Sequence, residues 1–113
     1  MTDEALSNMI VLEAKETFVK DLEVFLTTFV TRCRGEEGCL KYDCFQSFEK
    51  PSRFMLVMEW SEERSLQRHF ESEHVREFFD RVGKEWLLAS PEEDYRNFSH
   101  REGEFSDDEI PLA

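Results

Sequence analysis

The sequence predicts an α+β fold, with a four-stranded antiparallel sheet and two helices in the order strand, helix, strand, strand, helix, strand. Three observations carry this expectation. Apolar runs of strand length begin at residue 9 and fill 53–60, residues 39–47 alternate, and 93–100 place Tyr95 and Phe98 on a fourth segment of strand length. Between them, two stretches repeat apolar residues at the 3.6-residue period. A chain of 113 residues with 11 Phe, two Trp and two Tyr can pack one core but not two.

Residues 9–15, MIVLEAK, begin as a continuous apolar run. From 18 to 33, Phe18, Leu22, Phe25, Phe29 and Cys33 form one helical stripe, and Gly35 and Gly38 supply stop signals. Residues 39–47 alternate: Leu40, Tyr42 and Cys44 point one way, Lys41 and Asp43 the other. Glu49-Lys50-Pro51-Ser52 reads as a hairpin turn. The next strand, 53–60, is apolar without a break from Phe54 to Met58, which predicts burial on both faces. Ser61 is a suitable helix N-cap, with Glu62 and Glu63 in the first turn. Leu66 and Phe70 follow on one face, then Val75, Phe78, Phe79, Val82 and Trp86, with Glu71-Ser72-Glu73 loosening the helix between the two groups. Ser90-Pro91 ends the pattern, and 93–100 carry Tyr95 and Phe98 on a last strand. This order is the ferredoxin-like, split βαβ arrangement. Residues 1–100 form the domain; 101–113, with one Arg and five acids, form an acidic, flexible tail.

Composition excludes several function classes. Against 14 Lys and Arg stand 26 Asp and Glu, a net charge of -12. Nucleic-acid binding needs a basic footprint, and anionic membrane surfaces repel such a chain. No apolar run approaches the ~20 residues of a membrane span, and the first residues lack a signal-peptide pattern. The three Cys, at 33, 39 and 44, form no CxxC, so reduced thiols in the cytoplasm are expected. Two helices cover only one face of a four-stranded sheet. The apolar run at 54–58 therefore predicts a second copy packed sheet against sheet, a homodimer with two-fold symmetry.

Glu36-Glu37-Gly38-Cys39-Leu40-Lys41-Tyr42-Asp43, the strand from Arg53-Phe54 to Glu59-Trp60, and Leu66, His69 and His74 together resemble the antibiotic biosynthesis monooxygenase (ABM) family. That family's pattern is an acidic-Gly-Cys-Leu-x-Tyr segment, an apolar strand ending in Trp, and a helix reading Leu-x-x-His-x-x-Ser-x-His. The resemblance covers about residues 9–82. It implies a dimeric α+β barrel. It also implies chemistry: some members oxidise polycyclic phenols and anthrones with molecular oxygen and no metal or flavin. Others oxidise quinols, cleave haem, or act on small signalling sugars without oxygen. Met58 stands where many members carry Glu, and Glu59 lies one position later on the opposite face. The haem branch needs a Trp and a ligating His on the second helix; here those positions fall at His69 and Phe79, which disfavours haem degradation. That branch also uses an Asn on the first strand, and Asn8 lies near that place.

The resemblance points to a cofactor-independent monooxygenase acting with O2 on a hydrophobic phenolic or quinol-type molecule. The alternative is a non-oxygenase dimer that binds or isomerises a small carbonyl compound; a third reading is an interaction module using the tail. His69 and His74 are the candidate catalytic residues. An imidazole, with an intrinsic pKa near ~6.5, suits removal of a phenolic proton. Trp60, Tyr42, Phe70, Phe78 and Phe79 are candidate substrate-binding residues, although a core role explains each of them as simply. On one straight helix His69 and His74 lie about 140° apart and converge only if the backbone bends around Ser72. They also miss the i, i+4 placement of a helical metal pair, so no metal is expected; that no cofactor is needed is what the resemblance implies. Cys39 and Cys44 read as small buried hydrophobes.

Overall fold

The computed structural model describes residues 5–88 and the backbone of 99–101. Strand β1 (Leu6–Glu13) leads through a 3₁₀ turn (Glu16–Phe18) into helix α1 (Val19–Arg34). A hairpin follows, β2 (Cys39–Gln46) and β3 (Arg53–Trp60), then helices α2 (Glu63–Glu71) and α3 (Glu73–Glu77). A π-helical stretch (Phe78–Val82), a short helix α4 (Gly83–Glu85) and strand β4 (Ser99–Arg101) complete the order. The sheet order is β2-β3-β1-β4 and every neighbouring pair is antiparallel. This is the ferredoxin-like α+β arrangement. Of the expected last strand at 93–100, Ser99 and His100 are described, within β4, which also takes in Arg101 of the expected tail; 93–98 and the tail from 102 lie outside the described residues.

Register explains the core. Asn8, Ile10 and Leu12 of β1 face the helices opposite Met58, Leu56 and Phe54 of β3. Against them α1 buries Leu22, Leu26, Phe29, Val30 and Cys33, while Leu66, Val75, Phe78 and Val82 close the other side. Strand β1 starts earlier than the apolar run suggests, because Leu6 and Ser7 pair with Trp60 and Glu59 and so gain ladder partners.

Three local expectations are corrected. Strand β3 is not equally buried on both faces in the single chain. Phe54, Leu56, Met58 and Trp60 are buried, whereas Met55 and Val57 on the other face are half-buried, because both helices lie on one side. Leu40 does not share a face with Tyr42. A register shift between Cys39 and Lys41 makes it the extra residue of a bulge, 57% exposed. Ser61 is not the N-cap. Its amide donates to the Gly38 carbonyl at 2.8 Å, extending the strand exit, and Glu62 takes the cap position.

The hairpin turn is tied to β1 by a charge cluster. Glu13 accepts hydrogen bonds from Ser52 Oγ (2.8 Å) and Arg53 Nε (3.0 Å), with Lys50 Nζ at 3.4 Å. Burial pushes the Glu13 carboxyl up, but the bonds from Arg53, Ser52 and Lys50 outweigh it and hold the group below its ordinary 4.5. A lowered folded value means that this stabilisation is complete above 4.5 and disappears as pH falls through the folded value. Glu13→Gln should therefore lower the unfolding temperature at neutral pH, and the difference from the parent should vanish in strong acid. Thermal melts followed by circular dichroism across that range measure it.

Gly38 adopts φ +87, and a Cβ there would collide with the side chain of Ser65. Gly38→Ala should thus cost roughly 1–3 kcal/mol from backbone strain alone, with more from the displaced Ser65. Denaturant unfolding would read this as a lower midpoint.

Candidate active site

The site is built where β3 ends and α2 begins. Trp60 is the last residue of β3, and Tyr42 lies across on β2, opposite Met58. Both point to the helical side and are buried. On α2, Leu66 fixes the apolar face and places His69, one turn later, against the two rings. The His69 ring centroid is 4.7 Å from Trp60, 5.3 Å from Tyr42 and 5.1 Å from Phe70.

His69 is 1% exposed, so both ring nitrogens need partners. Nδ1 lies 2.9–3.0 Å from both carboxylate oxygens of Glu36, and Nε2 lies 3.2 Å from the Tyr42 hydroxyl. An ionised carboxylate only accepts, so Nδ1 carries the proton toward Glu36. In the neutral imidazole Nε2 is then the acceptor, and the Tyr42 O–H donates to it. The result is a directed chain from Tyr42 through His69 to Glu36. Tyr42 also lies next to the buried Cys33, whose sulfur adjoins Glu36 and His69.

His74 joins from the other side. Ser72 leaves the helical region (φ -70, ψ 156), ending α2 and preceding α3. Its hydroxyl and amide both donate to the His69 carbonyl, at 2.7 and 3.1 Å. This break removes the 140° separation expected of a straight helix, and His74 Nε2 reaches Glu36 Oε2 at 2.6 Å. One carboxylate therefore serves two imidazoles.

Electrostatics follow from this packing. Burial pushes the Glu36 carboxyl up, but the hydrogen bond and charge of His69, with those of His74, hold it below the usual carboxylate range. Burial drives the Tyr42 phenol well above its ordinary value, so it remains a donor. The Cys33 thiol is pushed far up, chiefly by burial, with nearby Glu36 adding to it. Burial alone raises Cys44 to about 11, so this thiol is not a poised nucleophile.

Of the expected site residues, His69, His74, Tyr42, Trp60 and Phe70 come together, and Phe79 joins by stacking on Phe70 at 6.3 Å. Phe78 lies instead in the core, stacked on Phe29 at 4.9 Å and Phe25 at 5.7 Å. Asn8 is buried on the same sheet face as Trp60. The Trp60 indole N–H is buried and has no acceptor among the described residues. Sequence reasoning missed Glu36 and the place of Cys33 beside these groups. The signal was the Cys33-x-x-Glu36 spacing, one helical turn, directly before the Gly38 turn. An open groove of about 410 Å³ between α1 and β2, lined by residues such as Glu23, Arg34 and Gln46, lies away from these groups.

The chain is similar to known proteins in sequence and fold. Residues 5–81 match the family model described as antibiotic biosynthesis monooxygenase. An uncharacterized protein of Synechocystis sp. is 27% identical over 81 residues, which are 72% of this chain; the chain thus spans about half (51%) of that relative's length. Among solved structures, one from Pseudomonas aeruginosa superposes with a TM-score of 0.72 at 27% identity, covering 78% of this chain and 88% of the other. A conserved protein of Methanosarcina mazei gives 0.70 at 26% identity, covering 77% and 85%. A protein from Shewanella oneidensis gives 0.73 at 19% identity, covering 78% and 85%, and shows likeness of fold. With the family model spanning most of the domain, this chain belongs to the antibiotic biosynthesis monooxygenase family.

Proposed function

We propose that the protein is a cofactor-independent monooxygenase that oxidises a hydrophobic phenolic or quinol-type small molecule with O2. The observation that carries this reading is the buried His69, oriented through Nδ1–H on Glu36 so that Nε2 accepts. A base held in one tautomer by a carboxylate is the arrangement used to take a proton from a weakly acidic O–H or C–H. The Tyr42 hydroxyl lies 3.2 Å from that nitrogen, and its O–H either meets the substrate oxygen or yields its place to it. The indole N–H of Trp60, lacking an acceptor among the described residues, offers a second donor to a substrate oxygen. Trp60, Phe70 and Phe79 supply flat walls for a planar ring.

The chemistry balances without a resident redox group. Proton loss to His69 gives an electron-rich phenolate or carbanion, which reduces O2. Where the substrate carries a ring methylene, that methylene and one O2 give a ring carbonyl and one water. One oxygen atom enters the substrate as the carbonyl oxygen, and the other leaves as water with the two methylene hydrogens. The substrate supplies both electron pairs. The protein supplies the base, the orientation and a dry environment.

Oxygen uptake by the chelator-treated protein over quinols and anthrones is the test. We expect a rate above autoxidation, and a loss of ~10²–10⁴-fold in His69→Ala. Rates at background with every substrate, from a folded protein, would overturn the reading in favour of a non-oxygenase binder.

The proposed assembly is a homodimer, in the cytoplasm. Val11, Phe45, Met55 and Val57 share the sheet face away from the helices, where Met9 is already buried; the other three are half-buried and Phe45 is 52% exposed. A second copy would cover this apolar surface, burying on the order of 2,000 Å² in total. Sedimentation should give a dimer, and Val57→Asp should shift it to monomer. No described helix is long and apolar enough to cross a membrane.

A further inference from the structure

We infer that Cys33, Glu36, His69 and His74 form a binding site for one divalent transition-metal ion of the zinc type. Their ligand atoms, one per residue, all lie within 4.8 Å of one another. Tetrahedral bonds of about 2.0 Å to nitrogen and oxygen and 2.3 Å to sulfur separate ligand atoms by roughly 3.3–3.8 Å. The Glu36 contacts, at 2.6 and 2.9 Å, would open and the wider separations close. Shifts of this size need rotamer adjustment rather than refolding.

The donors come from three segments: the last turn of α1, the loop after it, and the broken α2–α3 pair. The expectation against a metal rests on the spacing of the two histidines within one helix, and convergence from three segments removes that constraint. One thiolate, one carboxylate and two neutral imidazoles suit a borderline-soft ion and exclude magnesium or calcium, which favour all-oxygen shells. Two negative ligands neutralise a divalent ion, so the complex carries no net charge into a buried place.

The hydrogen-bond chain is satisfied in both states. Without an ion, Tyr42 O–H donates to His69 Nε2, and His69 Nδ1–H to Glu36. With an ion on Sγ and Nδ1, the thiol proton leaves to solvent and the imidazole proton sits on Nε2. Nε2–H then donates to the Tyr42 oxygen, and Tyr42 O–H donates to the Cys33 thiolate. Tyr42 thus becomes the outer partner of two ligands at once, as metal-bound histidines require. Occupancy leaves Nε2 without a free lone pair, so the ion would silence His69 as a base. That consequence rests on the oxygenase reading; the site itself does not.

The experiment is titration of the full, reduced, chelator-treated chain with Co2+ and Zn2+. We expect one ion per chain, a cobalt spectrum of tetrahedral intensity with a thiolate-to-cobalt charge-transfer band, and displacement of Co2+ by Zn2+. Cys33→Ala should lose the charge-transfer band. His74→Gln, at a partly exposed position, should weaken binding at least ~10–100-fold, since even an outer partner's loss costs that much. Circular dichroism confirms that each variant is folded. A weak octahedral cobalt spectrum without the thiolate band, or Zn2+ binding that neither variant changes, would overturn the site.

Discussion

Glu36 accepts hydrogen bonds from two imidazoles on either side of a helix break, and the placement of the candidate chemistry depends on that shared acceptor. A buried imidazole cannot leave a nitrogen unpaired without a cost of roughly 1–3 kcal/mol. His69, at the edge of the core, is tolerated because Glu36 and Tyr42 satisfy both its nitrogens. Glu36 is in turn positioned by the end of α1 and by Gly38, whose positive φ turns the chain into β2. The carboxylate therefore couples four elements: α1, β2, α2 and α3. It also sets the tautomer of His69, which decides whether Nε2 gives or takes a proton.

The fold explains why the candidate site lies at this end of the sheet. Helices pack on one face only, so apolar side chains alternate inward along β3 until Trp60 at its last position. There the strand stops, Ser61 is held by the Gly38 carbonyl, and α2 turns back over the rings. Packing at this corner is aromatic rather than aliphatic, with Trp60, Tyr42, His69 and Phe70 within ring contact. Planar groups pack there without filling the space as branched aliphatics do, and three of them carry a polar atom. The indole N–H without an acceptor among the described residues belongs to that compromise.

Cys33, Glu36, His69 and His74, with Tyr42 beside them, are compatible with the two proposed states. With protons only, the chain from Tyr42 to Glu36 leaves His69 Nε2 as an acceptor. With the inferred ion, the direction of that chain would reverse and the acceptor would be withdrawn. Both states leave each donor of that chain paired, which an apolar corner could not do.

Much of the fold was legible in the sequence because it rests on local periodicity. The α1 stripe ending at Cys33, the alternation from Tyr42 to Cys44 and the run from Phe54 to Met58 each identify an element. They also give its order, and from order comes the ferredoxin-like class. Leu40 and Ser61 escape a sequence reading for a shared reason: a bulge and a strand exit are set by the partner strand and by the Gly38 carbonyl. The site divides in the same way. Residue types and candidates, His69, His74, Tyr42 and Trp60, were visible in the sequence. Their convergence was not, because Glu36 meets them across 33 and 38 residues of chain. The angle between the histidines is reset by a single residue, Ser72, leaving helical geometry. Periodicity carries information over one or two turns, whereas a shared hydrogen-bond acceptor is decided only when distant elements pack. The sequence alone determined the elements, their order and the donors; tertiary structure decided which donors share a proton.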